Sequence, residues 1–64
     1  MKNKIKLLRK ELGLRQEDVA NRVGVTRQTI IAIENDRYNP TLELAMKLAK
    51  LFNTPVEEIF YLDK

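Results

Sequence analysis

The chain has 64 residues, 44% of them hydrophobic, a net charge of +3, and neither cysteine nor histidine. That length admits one small domain with a modest core, and the apolar content is too high for a disordered chain. Disulfide staples and thiolate or imidazole metal sites are excluded, no run approaches the roughly 18 apolar residues of a membrane span, and the N-terminus lacks a signal-peptide core, so the expectation is a soluble, cytoplasmic protein.

Residues 3–12, NKIKLLRKEL, predict a first helix with Ile5, Leu8 and Leu12 on one stripe and Asn3 as its cap. Leu7 lies off that stripe, either as a half-buried flank or as a contact to another subunit. Lys2, Lys4 and Lys6 read first as a solvated basic end, with phosphate contact as the alternative. Arg9 follows Leu8 close to the stripe, and a charge near the core needs a partner. Gly13 ends the helix, and Leu14 tucks the short link into the core.

The stretch 16–35, QEDVANRVGVTRQTIIAIEN, predicts two short helices joined by a tight turn. Glu17 and Asp18 suit the positive end of the first helix dipole, and Val19, Ala20 and Val23 form its apolar stripe. Ala20 stands where two helices must cross closely. Gly24 supplies the turn, Val25 packs the corner, and Thr26 is an N-cap for the next helix. In that second helix, from about Arg27 to Asn35, Ile30 and Ile33 face inward. Gln28, Ala32 and Asn35 fall on the opposite arc, with Arg27, Thr29 and Ile31 on the flanks. Glu34 lies next to Ile33, close to the buried face. A helix that exposes amide and guanidinium groups near its N-terminus fits a DNA major groove, where Gln pairs bidentately with adenine and Arg with guanine or phosphate. The plain alternative is a helical hairpin with a solvated outer face.

Asp36 follows Asn35, and both residue types tolerate the left-handed conformation, so the helix can stop here. Arg37 and Tyr38 offer a guanidinium and a hydroxyl in the loop, although Tyr38 reads equally as a packing residue. Asn39-Pro40 breaks the chain, and Thr41 caps a fourth helix, LELAMKLAKLF, with Glu43 in its first turn. Leu44, Ala45, Leu48, Ala49 and Phe52 form its core face; Met46 and Leu51 lie off it. Thr54-Pro55 predicts a fifth helix with Thr as the cap and Pro in the first turn. Glu57 and Glu58 complement that helix dipole, and adjacent residues on a helix do not converge on a substrate. Val56, Ile59 and Phe60 face the core. Tyr61 and Leu62 have little chain left to bury them. With Val56 or Leu51 they make a small dimer seam, or they pack against their own helices.

Gln16 opening a helix, Ala20 at its fifth place, Gly24 at the turn, the buried pair Ile30 and Ile33, and RQTI followed by IEN together resemble the helix-turn-helix of the phage repressor and Cro type, the Xre family. The resemblance runs from Ile5 to about Phe60. It implies an all-α fold, a compact five-helix domain over residues 1–64 with the helix-turn-helix at 16–35. In that family an arginine of the first helix and a glutamate ending the recognition helix form an ion pair. Carried over, this is a structural pair between Arg9 and Glu34 that fixes the angle of the reading helix and need not add net stability. The resemblance also makes Gln16 a DNA backbone contact. Arg15 stands where the family more often has Ser or Thr, which loses a side-chain cap worth about 1 kcal/mol and adds a positive charge.

Base reading is implied for Arg27, Gln28, Thr29, Ile31 and Ala32, with Thr29 on phosphate or base. Ile31 and Ala32 depart from the polar residues many relatives carry. Apolar groups can touch a thymine methyl but cannot read a base by hydrogen bonding, so the code is led by Arg27 and Gln28 and supplemented by DNA shape. Ile31 is equally suited to burial against the following loop. The phosphate candidates are Gln16, Arg15, Thr26, Asn35, Arg37 and Tyr38. Asp36, where the family frequently has glycine, would repel a phosphate brought close to it.

Charge supports this reading. Residues 1–37 hold nine basic and five acidic side chains, against three basic and four acidic in residues 38–64, so the reading helix lies in the basic part. The expected function is a sequence-specific DNA-binding transcriptional regulator, a repressor on a near-palindromic operator. Its partners would be double-stranded DNA and a second copy of the chain, at least on DNA, with no small-molecule effector, cofactor or metal. The alternative is an antitoxin or adaptor whose main role is binding a protein partner. An enzyme is not expected, because no nucleophile–base pair, phosphate-cradling glycine loop or convergent acids appear.

Overall fold

Left-handed residues stop the helices and thereby set the architecture. In a computed structural model of the protein, which describes residues 1–62, the helices are α1 (Ile5–Glu11), α2 (Gln16–Val23), α3 (Arg27–Glu34), α4 (Leu42–Phe52) and α5 (Val56–Ile59). Gly13, Gly24, Asp36 and Asn53 follow the first four, with φ of 71, 76, 60 and 51°. At each stop an N–H one residue further on returns to a carbonyl of the last turn: Leu14 to Arg9, Val25 to Ala20, Arg37 to Ala32 and Thr54 to Ala49, at 2.9–3.0 Å. These closures satisfy carbonyls that a helix end would otherwise leave unpaired.

The helix starts are more varied. Thr26 Oγ1 accepts from Thr29 N–H at 3.3 Å and Thr41 Oγ1 from Leu44 N–H at 3.2 Å. At α2 the N-cap is Arg15, whose guanidinium has no lone pair to offer. The reciprocal bond is made instead, with Arg15 N–H donating to Asp18 Oδ2 at 2.8 Å. The fifth helix departs from expectation. Its N-cap is Pro55, and the Thr54 hydroxyl turns back to donate to the Phe52 carbonyl at 2.9 Å. Thr54 is drawn into closing α4 and is not available to cap α5.

The first helix also differs from its reading. It begins at Ile5, and Asn3 belongs to a short strand, β1 (Lys2–Asn3), which pairs antiparallel with β2 (Phe60–Tyr61) in the register Lys2↔Tyr61 and Asn3↔Phe60. The architecture is therefore five helices plus a two-stranded clasp joining the two ends of the chain. The Asn3 side chain still serves α1, accepting from Ile5 N–H at 3.1 Å. Leu12 is not on the buried stripe: it lies past the last helical residue and is 54% exposed. Arg9, one turn after Ile5, takes the buried place instead.

The core draws on every helix: Ile5 from α1, Val19, Ala20 and Val23 from α2, Ile30 and Ile33 from α3, Leu44, Ala45, Leu48 and Phe52 from α4, and Ile59, joined by Phe60 of β2. Leu8, Leu14, Val25, Ala49, Leu51 and Val56 are half-buried against it. So Ala49 and Val56 lie at the edge of the core, not inside it, and Leu51 is covered by the chain's own helices. Helix α2 packs against both α3 and α4, and α1 meets α3. No helix among the described residues is long and apolar enough to cross a membrane.

Gly24→Ala isolates the cost of the turn, because a Cβ added there meets nothing within 4 Å. The strain is purely that of φ +76°, so the variant should lose about 1 kcal/mol and melt roughly 4–8 °C lower with an unchanged far-UV spectrum. An unshifted melting temperature would mean that the turn imposes no left-handed residue.

Candidate nucleic-acid interface

Glu34 ends α3 with its side chain only 3% exposed, and it is met there by Arg9 of α1, whose side chain is 11% exposed. Arg9 Nε donates to Glu34 Oε2 at 2.7 Å, and Nη2 donates to Oε1 at 3.3 Å. The remaining nitrogen, Nη1, donates to the Leu14 carbonyl at 3.0 Å. Gln16, the first residue of α2, donates from Nε2 to the same Glu34 Oε1 at 3.2 Å. One carboxylate thus collects donors from α1 and α2, while its partner also holds the link between them. Among the described residues no buried side-chain nitrogen or oxygen lacks a partner, which is the condition under which a buried charge pair is tolerated.

The same end of α3 is gripped a second time, from β1. Asn3 Nδ2 donates to the Ile33 carbonyl at 2.7 Å and to Asp36 Oδ1 at 3.2 Å. Asp36 is therefore occupied as the left-handed stop and as an acceptor for Asn3. Asn35 is exposed as the C-cap, and Arg37 and Tyr38 are exposed in the loop that follows.

The front of α3 is arranged differently. Arg27 and Gln28 are exposed on its first turn, and neither side chain forms a hydrogen bond or ion pair to another described residue. The Thr26 and Thr29 hydroxyls lie 3.1 Å apart and hold each other, and Thr29 is half-buried. Ile31 and Ala32 are half-buried as well, so the helix offers guanidinium and amide groups at its tip and partly covered apolar groups further along.

The candidate backbone contacts are not brought together: Arg15 and Gln16 line one cleft, Tyr38 another, and Thr26, Asn35 and Arg37 neither. Arg15 and Gln16 share an open cleft with Arg27, together with Lys6, Arg9 and Lys10 of α1. Tyr38 and Thr29 line a second hollow with Gly24, Thr41 and Lys47. Arg15 is exposed, but its guanidinium lies on Asp18, at 3.2–3.3 Å. Hydrogen bonds from the Arg15 side chain and backbone hold the Asp18 carboxyl below its usual range, and Asp18 in turn raises Arg15. The residue pattern gives no expectation of the Gln16–Glu34 bond, the Asn3 clasp, or Lys6 and Lys10 in the cleft beside Arg27. Only the last had a signal, an i,i+4 spacing on either side of Arg9.

The family described as Helix-turn-helix matches residues 5–59. An uncharacterized HTH-type transcriptional regulator of Methanocaldococcus jannaschii is 55% identical over 60 residues, which cover 94% of this chain and 91% of the relative. A Bacillus subtilis protein, also an uncharacterized HTH-type transcriptional regulator, is 48% identical over 64 residues, covering 100% of this chain and 97% of its own length. The cryptic phage CTXphi transcriptional repressor RstR of Vibrio cholerae is 44% identical over 57 residues, 89% of this chain and 51% of the repressor.

Removing one member of the buried pair leaves the other uncompensated. Glu34→Ala should therefore cost about 3–5 kcal/mol in urea denaturation, whereas the apolar double replacement Arg9→Met with Glu34→Leu should recover most of that loss. Glu34→Ala within about 1 kcal/mol of the parent would show that water readily satisfies the guanidinium of Arg9 and that the pair is not effectively buried.

Proposed function

The chain belongs to the Xre-type helix-turn-helix family, and on that premise we propose that it is a DNA-binding transcriptional regulator that reads a specific sequence. The observation that carries the reading is the contrast between the two ends of α3. Its C-terminal end is held by Arg9, Gln16 and Asn3, while Arg27 and Gln28 stand exposed and unengaged at the other end. A helix with a fixed base and free donors at its tip can enter a major groove without first breaking its own contacts.

In this reading Gln28 pairs with adenine and Arg27 with guanine or a phosphate. Thr29, Ile31 and Ala32 make the remaining contacts with base edges, chiefly thymine methyl groups. Gln16, Arg15, Thr26, Asn35, Arg37 and Tyr38 position the backbone, and the pair Arg9–Glu34 sets the angle of α3. Arg15 must exchange Asp18 for a phosphate to take part, an exchange within reach because that pair is exposed. The action is repression, supported by the phage relative's being called a transcriptional repressor; it proceeds by occupying a promoter and takes place in the cytoplasm.

Two copies act together on a near-palindromic site, with recognition helices about one DNA turn, roughly 34 Å, apart. The support is an apolar patch away from the reading helix: Leu7 and Tyr61, 56% and 42% exposed, border one hollow with Lys4, Glu57 and Glu58. A patch carrying both signs of charge can meet its own copy across a two-fold axis.

Gln28→Ala should weaken binding to a duplex selected from a random pool by roughly 1–3 kcal/mol and leave scrambled DNA nearly unaffected. Arg37→Ala should weaken both alike and flatten the salt dependence. Filter binding or fluorescence anisotropy across a salt series separates the two patterns. Equal losses on every sequence for both variants would overturn the division of roles.

A further inference from the structure

The cleft shared by α1 and the starts of α2 and α3 carries more positive charge than the family reading uses. Its lining includes Lys6, Arg9 and Lys10 of α1, Arg15, Gln16 and Glu17 at the start of α2, and Arg27 of α3. Two of its cations are already engaged, Arg9 with Glu34 and Arg15 with Asp18. Lys6, Lys10 and Arg27 form no ion pair with a described residue, and Glu17 is the single carboxylate of the lining. Lys6 and Lys10 are one helical turn apart, both exposed, on either side of the buried Arg9.

Lys4 separates cleanly from this pair. It lines the hollow on the other side of α1, with Leu7, Glu57 and Glu58, so the basic N-terminal region is not a uniform solvated end. Three cations without an ion pair among the described residues converge on one open cleft beside the half-buried Gln16, an arrangement suited to an anion that is itself extended. An enclosed small anion would need buried donors aimed at it, and the free lysines here are exposed.

We propose that Lys6 and Lys10 bind a backbone phosphate of the DNA strand that passes the starts of α2 and α3. This rests on the regulator reading above. Helix α1 then has two tasks: through Arg9 it holds the reading helix, and through the residues flanking Arg9 it holds the strand beside the groove. The ammonium groups are point charges on flexible stems, so they add affinity and orientation without sequence preference. Their position next to Arg27 and Gln16 places them on the strand those residues meet, not at a remote surface.

The test compares the double variant Lys6→Gln/Lys10→Gln with Arg22→Gln/Lys50→Gln, which removes the same charge at two exposed positions outside the cleft. Binding is measured on a selected duplex and on a scrambled one across a salt series. One lost phosphate contact should make the log–log salt slope shallower by about 0.9 per bound chain and reduce affinity on the order of tenfold at ~0.1 M salt, equally on both duplexes. The control double should change the slope by clearly less. Equal effects from the two doubles, or none from the first, would overturn the proposal while leaving the regulator reading intact. Saturable binding of inorganic phosphate at constant ionic strength, lost in Lys6→Gln/Lys10→Gln with DNA affinity unchanged, would overturn it in favour of a small-anion site. A parent chain that retains no duplex even at low salt would remove the regulator reading and this one together.

Discussion

A single carboxylate shared among three helices is the constraint on which the rest of the structure depends. Glu34 receives donors from Arg9 and Gln16, and Arg9 spends its last nitrogen on the carbonyl of Leu14. Burying two charges carries a desolvation penalty of several kcal/mol per ion, so the pair is a poor source of stability. A domain of this size has only about 5–15 kcal/mol in total, and it cannot carry such a pair in a loose geometry. What the arrangement supplies is register. With each nitrogen of Arg9 engaged, α3 cannot rotate or slide against α1 and α2 without leaving a buried charge short of partners. Apolar packing alone would allow such a slip at small cost, because Ile30 and Ile33 meet neighbours that are themselves apolar and forgiving in orientation.

The clasp at the chain ends reinforces the same point. Asn3 is held in β1 by its pairing with Phe60, and its amide reaches the Ile33 carbonyl and Asp36. The two termini are therefore coupled to the C-terminal end of α3, where the helix would otherwise present unpaired carbonyls. All of these fixed contacts gather at one end. At the other, Thr26 supplies only a local cap, and the side chains of Arg27 and Gln28 remain without partners among the described residues. The division is physical: groups that must face a ligand cannot be spent on the fold, so the rigidity has to come from behind them.

Much of the helical framework is legible in the residues because several independent signals coincide there. Thr26 and Thr41 are caps, Gly24 and Asp36 are stops, and the stripes of α2 and α4 have the helical period. The ends of the chain are not legible. Strands of two residues have no period, so Lys2–Asn3 and Phe60–Tyr61 carry no local sign of pairing. Leu12 fits the α1 stripe by spacing, but the helix stops one residue earlier and the buried place goes to Arg9. Thr54 looks like a cap beside Pro55, yet competition from the closure of α4 decides its hydroxyl. At the candidate site, chemical type shows in the sequence whereas engagement does not. Nothing in the residue order tells that Gln16 lies on Glu34, since that depends on how helices cross, whereas Arg15 on Asp18 is a local i,i+3 contact at the start of α2 that the spacing allows. For the lysines near α1 the spacing puts Lys6 and Lys10 on one side and Lys4 off it, but which side meets the cleft depends on how the helices cross.

The limited polar face of α3 bears on how many copies the proposed function requires. With Ile31 and Ala32 apolar and half-buried, hydrogen-bonded reading falls to Arg27 and Gln28. Two bidentate contacts at 1–3 kcal/mol each give about 2–6 kcal/mol of discrimination for one chain. Specific sites are typically preferred over non-specific DNA by about 4–10 kcal/mol. One chain therefore reaches only the lower part of that range, and phosphate contacts cannot close the gap, because they strengthen right and wrong sequences alike. A second copy on a symmetry-related half-site doubles the reading contacts without a new residue type, bringing discrimination to about 4–12 kcal/mol on the same scale. On this arithmetic the proposed pairing of two chains would bring within range a discrimination that one reading helix reaches only at the top of its own.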